Sequence, residues 1–330
     1  MSSSNTYTKT ILITGGTAGL GHHAALSLAR ARPDNLIILA SRTDRTSAAT
    51  NINTTLSRSN TLFLPLDLSS QSNIRTFAAT WAENNYPPIE TLLLNAGLQF
   101  PAKAASYTTD GIESTFGINH VGHALLFHLL TPHLSPTARI VLTSSGTHDP
   151  AQKTGMPDAT YTSAEALAHP GPEELAFPGR KRYTQSKLAV LLWGYALHRR
   201  LSSIPGNQRT VVSFDPGMMP GTGLAREASA VEKMLWNRVM PRVIPVMRCV
   251  MFPNIHTPGE SGGNLAWVAL GEEGEAKGSS GVYFEGRKVI KSSVDSYDEG
   301  KQEDLWGWTV NNVAKDEEEK RKFDAMIGSE

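Results

Sequence analysis

The chain has 330 residues, with 31 lysines and arginines against 31 aspartates and glutamates, so it is neutral at pH 7. That balance excludes a protein built to hold nucleic acid by bulk charge, and 40% hydrophobic content excludes a disordered or collagen-like chain. One cysteine, Cys249, excludes an internal disulfide and a multi-cysteine metal site and fits a reducing, cytoplasmic compartment.

The first residues, Met-Ser-Ser-Ser-Asn-Thr-Tyr-Thr, have no apolar core, so no secretory signal is expected. No stretch approaches about 18 uninterrupted apolar residues, so no membrane span is expected either. Lys9–Thr14 is a short β-branched run that ends in Gly15, Gly19 and Gly21, and a helical pattern follows from Leu20 to Ala31, stopped by Pro33. Strand, glycine loop and helix open a βαβ unit. Further apolar runs stand at Asn35–Ala40, Thr61–Leu66, Thr91–Leu94, Arg139–Thr143, Thr210–Phe214 and Gly281–Phe284. Helical patterns separate them at Ser72–Asn84, Ile112–Leu134 and Arg182–Ser202. Continuous apolar strands are buried on both faces, as in a parallel sheet. The fold class is therefore α/β: one doubly wound Rossmann domain over residues 1–330, with a mostly parallel sheet of about seven strands flanked by helices.

Three segments interrupt the alternation. Gly146–Arg180, rich in Pro, Gly, Ala and Thr, reads as a mobile lid over a substrate. Residues 221–258 carry four prolines and a basic excess, and read as a substrate-binding segment. Residues 291–330 hold eleven acids and six bases, and read as an acidic, solvated C-terminal helix.

A backbone that approaches a pyrophosphate needs glycines, and the helix N-terminus behind Gly15, Gly19 and Gly21 supplies N–H groups and positive dipole. The second strand ends Ala40-Ser41-Arg42, with no acid before Arg42. An acid there would take the ribose hydroxyls of NAD, whereas Arg42 offers a planar cation to a 2′-phosphate, so NADP(H) is the expected cofactor, with Arg45 as a helper. Tyr183 and Lys187, at i and i+4 on a predicted helix, share a face. An ammonium beside a phenol favours the phenolate, so Lys187 is expected to lower the pKa of Tyr183. Ser145 ends the fifth strand, where a hydroxyl can polarise a carbonyl, and Asn119 sits inside a predicted helix, where asparagine needs a hydrogen-bonding reason.

Thr14-Gly15-x-x-x-Gly19-x-Gly21, Leu66-Asp67-Leu68-Ser69-Ser70, Leu94-Asn95-Ala96-Gly97, Asn119, Ser145, Tyr183-x-x-x-Lys187 and Pro216-Gly217 stand in this order. Together, over roughly residues 8 to 285, they resemble the short-chain dehydrogenase/reductase family. The stretches Ile118–His123 and Pro216–Leu224 look like its retinol dehydrogenase and protochlorophyllide reductase branch, although Met218 stands where the light-driven reductases carry a cysteine. The resemblance implies a catalytic tetrad of Asn119, Ser145, Tyr183 and Lys187. In it Tyr183 moves the proton, Ser145 holds the carbonyl, Lys187 binds the nicotinamide ribose, and Asn119 holds a water. It implies Asp67 against the adenine, with Asn95, Ala96 and Gly97 beside the cofactor. The implied cofactor set is Thr14, Gly15, Gly19, Leu20, Gly21, Ser41, Arg42, Asp67, Leu68, Asn95, Ala96, Gly97, Tyr183, Lys187, Pro216, Gly217, Met218 and Thr222.

His120, His123 and His128 invite a metal reading, but no acid or cysteine stands at a matching spacing, so polar helix-face histidines are expected and no metal. Six of the nine methionines lie between Met218 and Met251, an adaptable apolar lining for a bulky ketone or alcohol. Contact in a homodimer, and an amphipathic stretch with Arg238, Arg242 and Arg248 lying on a membrane surface, are the other readings of that segment. The function expected is NADPH-dependent reduction of a small apolar carbonyl compound, or oxidation of its alcohol. Two alternatives remain open: a non-redox dehydratase or cyclase on the same fold, and an NADP-sensing regulator.

Overall fold

The computed structural model describes residues 7–100, 104–220, 240–250 and 254–325. Among these, eight strands form one sheet: β1 (Lys9–Thr14), β2 (Asn35–Ser41), β3 (Thr61–Pro65), β4 (Ile89–Leu94), β5 (Leu134–Thr143), β6 (Thr210–Asp215), β7 (Val282–Glu285) and β8 (Lys288–Ile290). Their order is β3-β2-β1-β4-β5-β6-β7-β8, and every neighbouring pair is parallel except β7 with β8. The strand order reverses between β1 and β4, which opens a crevice at their carboxyl ends.

The helices are α1 (Gly19–Ala31), α2 (Ala48–Leu56), α3 (Gln71–Glu83), α4 (Ser114–Phe116), α5 (Gly122–Leu130), α6 (Ala164–Ala168), α7 (Pro172–Leu175), α8 (Gly179–Ser203), α9 (Met240–Val250), α10 (Pro258–Leu270), α11 (Glu299–Val313) and α12 (Glu317–Ala325). Alternate side chains of each strand feed opposite faces of the sheet. Leu12, Ile38, Leu92 and Ile140 join α3, α5, α8 and α11 in one core, while Ile11, Ile37, Leu93 and Val141 join α1, α2 and α10 in the other. Burial on both faces is why these strands read as unbroken apolar runs. No helix among the described residues is long and apolar enough to cross a membrane.

The sheet has eight strands rather than about seven. β8 is only Lys-Val-Ile, too short and too exposed to register as apolar, and it folds back through Gly286-Arg287. The helix α2 also escaped the sequence pattern, because its Thr and Asn residues are poor helix formers. Ile112–Leu134 is not one helix. It breaks into α4, a π turn at Gly117–Val121 and α5, and β5 begins at Leu134.

Two of the three irregular segments differ from expectation. Within Gly146–Arg180, Ala159, Tyr161, Ala164, Leu167 and Ala168 are buried in the main core. Tyr161 Oη donates to Asp304 Oδ2 at 2.6 Å, and Trp308 Nε1 donates to Glu165 Oε2 at 2.7 Å. The middle of the insertion is thus packed on α11 as part of the fold. The acidic tail is not a solvated helix either. It forms α11 and α12, which bury Leu305, Trp306, Val310, Val313 and Phe323, and Trp306 stacks on Trp193 of α8 at 6.0 Å. Most of its acids are exposed, so charge count alone hid the apolar stripe.

Candidate active site

The glycine loop follows β1. Gly15 and Gly19 adopt left-handed φ values of 69° and 53°, and a side chain at Gly21 would run into the Gly15 carbonyl and lie 2.7 Å from Asn95 Nδ2. Behind the loop, Thr14 Oγ1 accepts from the N–H groups of Asn95 (2.8 Å) and Ala96 (2.9 Å), and Asn95 Nδ2 donates to Thr14 O at 2.8 Å. These bonds tie the ends of β1 and β4 together at the crevice. Thr14 is fully buried, so it holds the floor from below instead of facing the cavity. α1 starts at Gly19 with no side-chain cap and no acid in its first turn, which leaves its first N–H groups open to an anion.

A cavity of about 360 Å³ runs over this loop. Gly15, Gly19, Leu20, Gly21, Ser41, Arg42, Asp67, Leu68, Asn95, Ala96, Gly97, Tyr183, Lys187 and Pro216 all line it. Thr17, Ala18, Thr43, Leu98, Ile118, Thr143 and Met219 line it as well and were not in the implied cofactor or catalytic set. Gly217 and Met218 do not. Gly217 N–H donates to Asp215 Oδ1 at 3.0 Å, and Met218 exchanges backbone bonds with Asn254 (2.8 Å) and His256 (2.9 Å), so both build the turn behind the wall. Thr222 lies outside the described residues.

At the β2 end, Ser41 Oγ is buried without a protein partner and Arg42 is exposed at the rim. The nearest following acid, Asp44, is engaged elsewhere: its carboxylate accepts from the N–H groups of Ala48 (2.7 Å) and Ala49 (3.3 Å) and caps α2. Arg45 is exposed and stands off the cavity wall. Asp67 is held by Ser69, whose N–H and hydroxyl donate to Oδ1 at 2.9 and 2.7 Å.

The chemistry-bearing side chains meet at the other end. Lys187 Nζ donates to Thr143 O at 2.9 Å and sits 5.7 Å from the centre of the Tyr183 ring. Ser145 Oγ accepts from Thr147 Oγ1 at 3.1 Å and Thr147 N–H at 3.3 Å, which leaves its own hydrogen for the Tyr183 phenol. Tyr183 is pushed up to about 12, chiefly by burial; the Ser145 bond pulls it down and the Asp215 carboxylate pushes it further up. Lys187 is drawn down to about 8 by burial, with Asp215 opposing the shift. Contrary to expectation the phenol is raised, by burial first, and the Lys187 ammonium is turned to the Thr143 carbonyl.

Asn119 lies in the π turn, where Gly122 N–H reaches back five residues to Gly117 O. Its amide clasps the chain opposite: Leu98 N–H donates to Oδ1 at 2.8 Å, and Nδ2 donates to Leu98 O and Ser186 Oγ, both at 3.0 Å. Both ends of the amide are already engaged, so it acts here as a clasp and not as a free holder of water. One residue before Tyr183, Arg182 Nε stands 3.4 Å from the buried Glu113 and ties α8 to α4.

The three helix-face histidines are buried in the core. His120 bonds Thr309 at 2.9 Å, and His128 stacks on Phe323 at 4.6 Å. His123 Nδ1 donates to Asn119 O (3.1 Å), so its Nε2 accepts from Thr14 Oγ1 (2.9 Å). Burial drives all three well below the usual imidazole value, to about 3, 4 and 3 in chain order 120, 123 and 128, which keeps them neutral. Among the described residues no group of three His, Cys, Asp or Glu side chains is placed to hold a metal ion.

A family model described as short chain dehydrogenase matches residues 9–166. Polyprenol dehydrogenase of Danio rerio is 30% identical over 304 residues, covering 90% of this chain and 84% of its own length. The chain belongs to the short-chain dehydrogenase family. Protochlorophyllide reductase of Daucus carota is likewise 30% identical, over 316 residues that span 90% of this chain and 76% of that one. The crystal structure of a short-chain dehydrogenase from Burkholderia cenocepacia in complex with NADP overlays with a TM-score of 0.58 at 19% identity, covering 85% of this chain and 97% of that one.

As a short-chain dehydrogenase the chain is an oxidoreductase that uses a nicotinamide cofactor on alcohol or carbonyl groups, and the cavity fits such a dinucleotide. The space beside Gly19 is open, the start of α1 is uncapped, and Ser41 presents an unpartnered hydroxyl at the far end. The family model ends at residue 166, short of Tyr183 and Lys187. Sequence reading of this dehydrogenase passed over Thr147 and Asp215. The second carried a signal: an acid closing an otherwise apolar strand, directly before Pro216.

Proposed function

We propose that this dehydrogenase is an NADPH-dependent carbonyl reductase for a bulky apolar ketone or aldehyde, with Tyr183 as general acid. The cofactor, when bound, supplies the hydride. Gly15, Gly19, Gly21 and the start of α1 hold its pyrophosphate; Ser41 and Arg42 hold the 2′-phosphate; Asp67 and Leu68 flank the adenine; Asn95, Ala96, Gly97, Pro216 and Met219 wall the nicotinamide half. Lys187 binds the nicotinamide ribose. With substrate bound, the Ser145 hydroxyl turns its one hydrogen from Tyr183 to the substrate carbonyl and polarises it, and Tyr183 delivers the proton to the oxygen as negative charge develops there.

The observation that carries this reading is that the buried Tyr183, with Lys187 one turn on, lines the same cavity as the glycine loop. A phenol pushed up to about 12 keeps its proton throughout the physiological range, the state in which carbonyl reduction has to begin. Leu98, Ile118 and Met219 give the cavity apolar walls, in keeping with relatives such as polyprenol dehydrogenase whose name indicates a long apolar alcohol. The segment 221–258, read from the sequence as substrate-binding, lies largely outside the described residues. The lid narrows to the stretch around α7 and the exposed Phe177, because the middle of the insertion is anchored.

NADPH and NADH consumption against a panel of bulky apolar ketones and aldehydes tests the proposal. Turnover with NADPH and at least one such carbonyl supports it. Preference for NADH, or a dehydration product without cofactor consumption, overturns it.

A further inference from the structure

One fully buried carboxylate beside the site has no part in the scheme above. Asp215 is the last residue of β6 and is 2% exposed. Its Oδ1 accepts from Gly217 N–H at 3.0 Å, and its Oδ2 accepts from Asn254 Nδ2 at 2.8 Å. It also accepts from Gly146 N–H, and a side chain at Gly146 would lie 3.1 Å from Oδ2. Three separate segments therefore converge on one carboxylate: the turn after β5 that begins with Ser145, the Pro216-Gly217 turn that walls the cavity, and the chain at Asn254. The last two are stitched further by the Met218–Asn254 and Met218–His256 backbone bonds. The titratable groups that feel Asp215 are Tyr183 and Lys187 on α8 and Tyr283 and Glu285 on β7, and Tyr283 packs its ring against His148 at 5.1 Å. Lys187 is the sole cation of these.

We infer that Asp215 is a positioning residue for the proposed reduction: its carboxylate clamps the Ser145 turn to the Pro216-Gly217 turn and sets the charge beneath Tyr183 and Lys187. The geometry explains why an ion belongs in this place. Burial pushes the Asp215 carboxyl up, and three N–H donors from three segments, together with the Lys187 charge, oppose that shift and favour the ion. The same three donors would be left facing one another without it. The negative charge also keeps the Lys187 ammonium protonated against its own burial, and opposes loss of the Tyr183 proton. The kinetic part of the inference rests on the reductase reading; the clamp does not.

The test uses Asp215→Asn and Asn254→Ala in the full chain, with two independent readouts. Asp215→Asn keeps the shape but removes the charge and sets an N–H against the incoming donors. Deuterium exchange without substrate should quicken in the peptides covering residues 144–149, 216–219 and 254–256. Asn254→Ala removes one tether and keeps the charge, so exchange should quicken at 216–219 and 254–256 and less at 144–149. In turnover, Asp215→Asn should lower kcat by about tenfold or more with NADPH affinity changed less than about threefold, and should move the alkaline limb of the reduction profile down by roughly one pH unit. Asn254→Ala should leave that limb in place. Unchanged exchange in both variants overturns the clamp whatever the enzyme turns over, and if Asp215→Asn does not fold, Asn254→Ala alone decides it by exchange. Turnover lost without any movement of the limb overturns the electrostatic role. A wild type that reduces no carbonyl while the exchange changes appear refutes the reductase reading and leaves the clamp standing.

Discussion

Lys187 Nζ is fixed by the carbonyl oxygen of Thr143, at 2.9 Å, and not by the phenol of Tyr183 one turn away. The i, i+4 spacing puts both residues on one face of α8, but the strand end decides where the ammonium points. Thr143 is the last residue of β5 and its neighbour Ser144 donates to Phe214 O at 2.8 Å, so the carbonyl is held by the sheet itself. A rigid acceptor at a strand end positions a long flexible side chain better than another side chain could.

The pH dependence follows from this arrangement. Burial lowers Lys187 to about 8, while Tyr183 stays protonated up to about 12. As pH rises, the first loss is therefore the Lys187 charge that holds the ribose, not the Tyr183 proton. The pH profile of kcat/KM for ketone reduction should bend downward near pH 8, with NADPH affinity falling in step. A profile flat to pH 10 would contradict this assignment.

Cofactor choice should rest on Ser41 and Arg42. Arg42→Ala should raise the NADPH dissociation constant about tenfold, since a charge-assisted contact contributes about 1.5–3 kcal/mol and an exposed one lies at the low end. Ser41→Ala should have a smaller effect in the same direction, and NADH binding should stay unchanged in both. Titration of cofactor fluorescence separates the cases; an equal loss for both cofactors would mean that these residues hold the adenosine and not a phosphate.

How much of this was legible in the sequence depends on range. β1, α1 and the glycine loop are contiguous and apolar or glycine-rich, so local pattern suffices. Tyr183 and Lys187 were legible for the same reason. The breaks came where a residue's role is set by distant chain. Asn119 read as a helix residue in need of a partner, but the π turn and the clasp on Leu98 depend on packing against Leu68 and Ser186. His123 read as polar, and its partner is Thr14, 109 positions away. Tyr161 sat in a stretch without periodicity, and its anchor Asp304 is 143 positions on.

The anchored part of the insertion should behave as structure. Tyr161→Phe removes the bond to Asp304 at 2.6 Å and keeps the ring in the core. A bond to a carboxylate contributes about 1.5–3 kcal/mol, and Ala164 N–H still meets Asp304 at 2.9 Å, so the low end applies. The melting temperature should fall by several degrees, at about 2–4 °C per kcal/mol for a chain of this order of size. NADPH affinity should not change. By contrast, replacing Phe177 by Ala, at 45% exposure on the outer stretch, should leave the melting temperature alone and alter the KM for bulky ketones. A reversal of the two outcomes would place the lid at Tyr161 and the scaffold at Phe177.

The chemistry itself is tested by three substitutions along one line of hydrogen bonds, from Thr147 through Ser145 to Tyr183. Tyr183→Phe keeps the buried ring but removes the acid, and general acid catalysis contributes about 10²–10⁴-fold, so kcat should fall by that range while NADPH still binds. Ser145→Ala removes the donor to the carbonyl and should cost about 10²–10³-fold, by analogy with a lost oxyanion donor, again with NADPH affinity kept. Thr147→Val is the informative one. It removes the hydroxyl that donates to Ser145 Oγ at 3.1 Å and leaves the backbone bond at 3.3 Å, so Ser145 is freed to turn and not lost. Its effect should be smaller than that of Ser145→Ala, and it should vanish in the Ser145→Ala background, because the two act through one group. Full additivity of the pair would show that Thr147 works on something other than Ser145, and a Tyr183→Phe enzyme with near-normal reduction would remove the whole line from the mechanism.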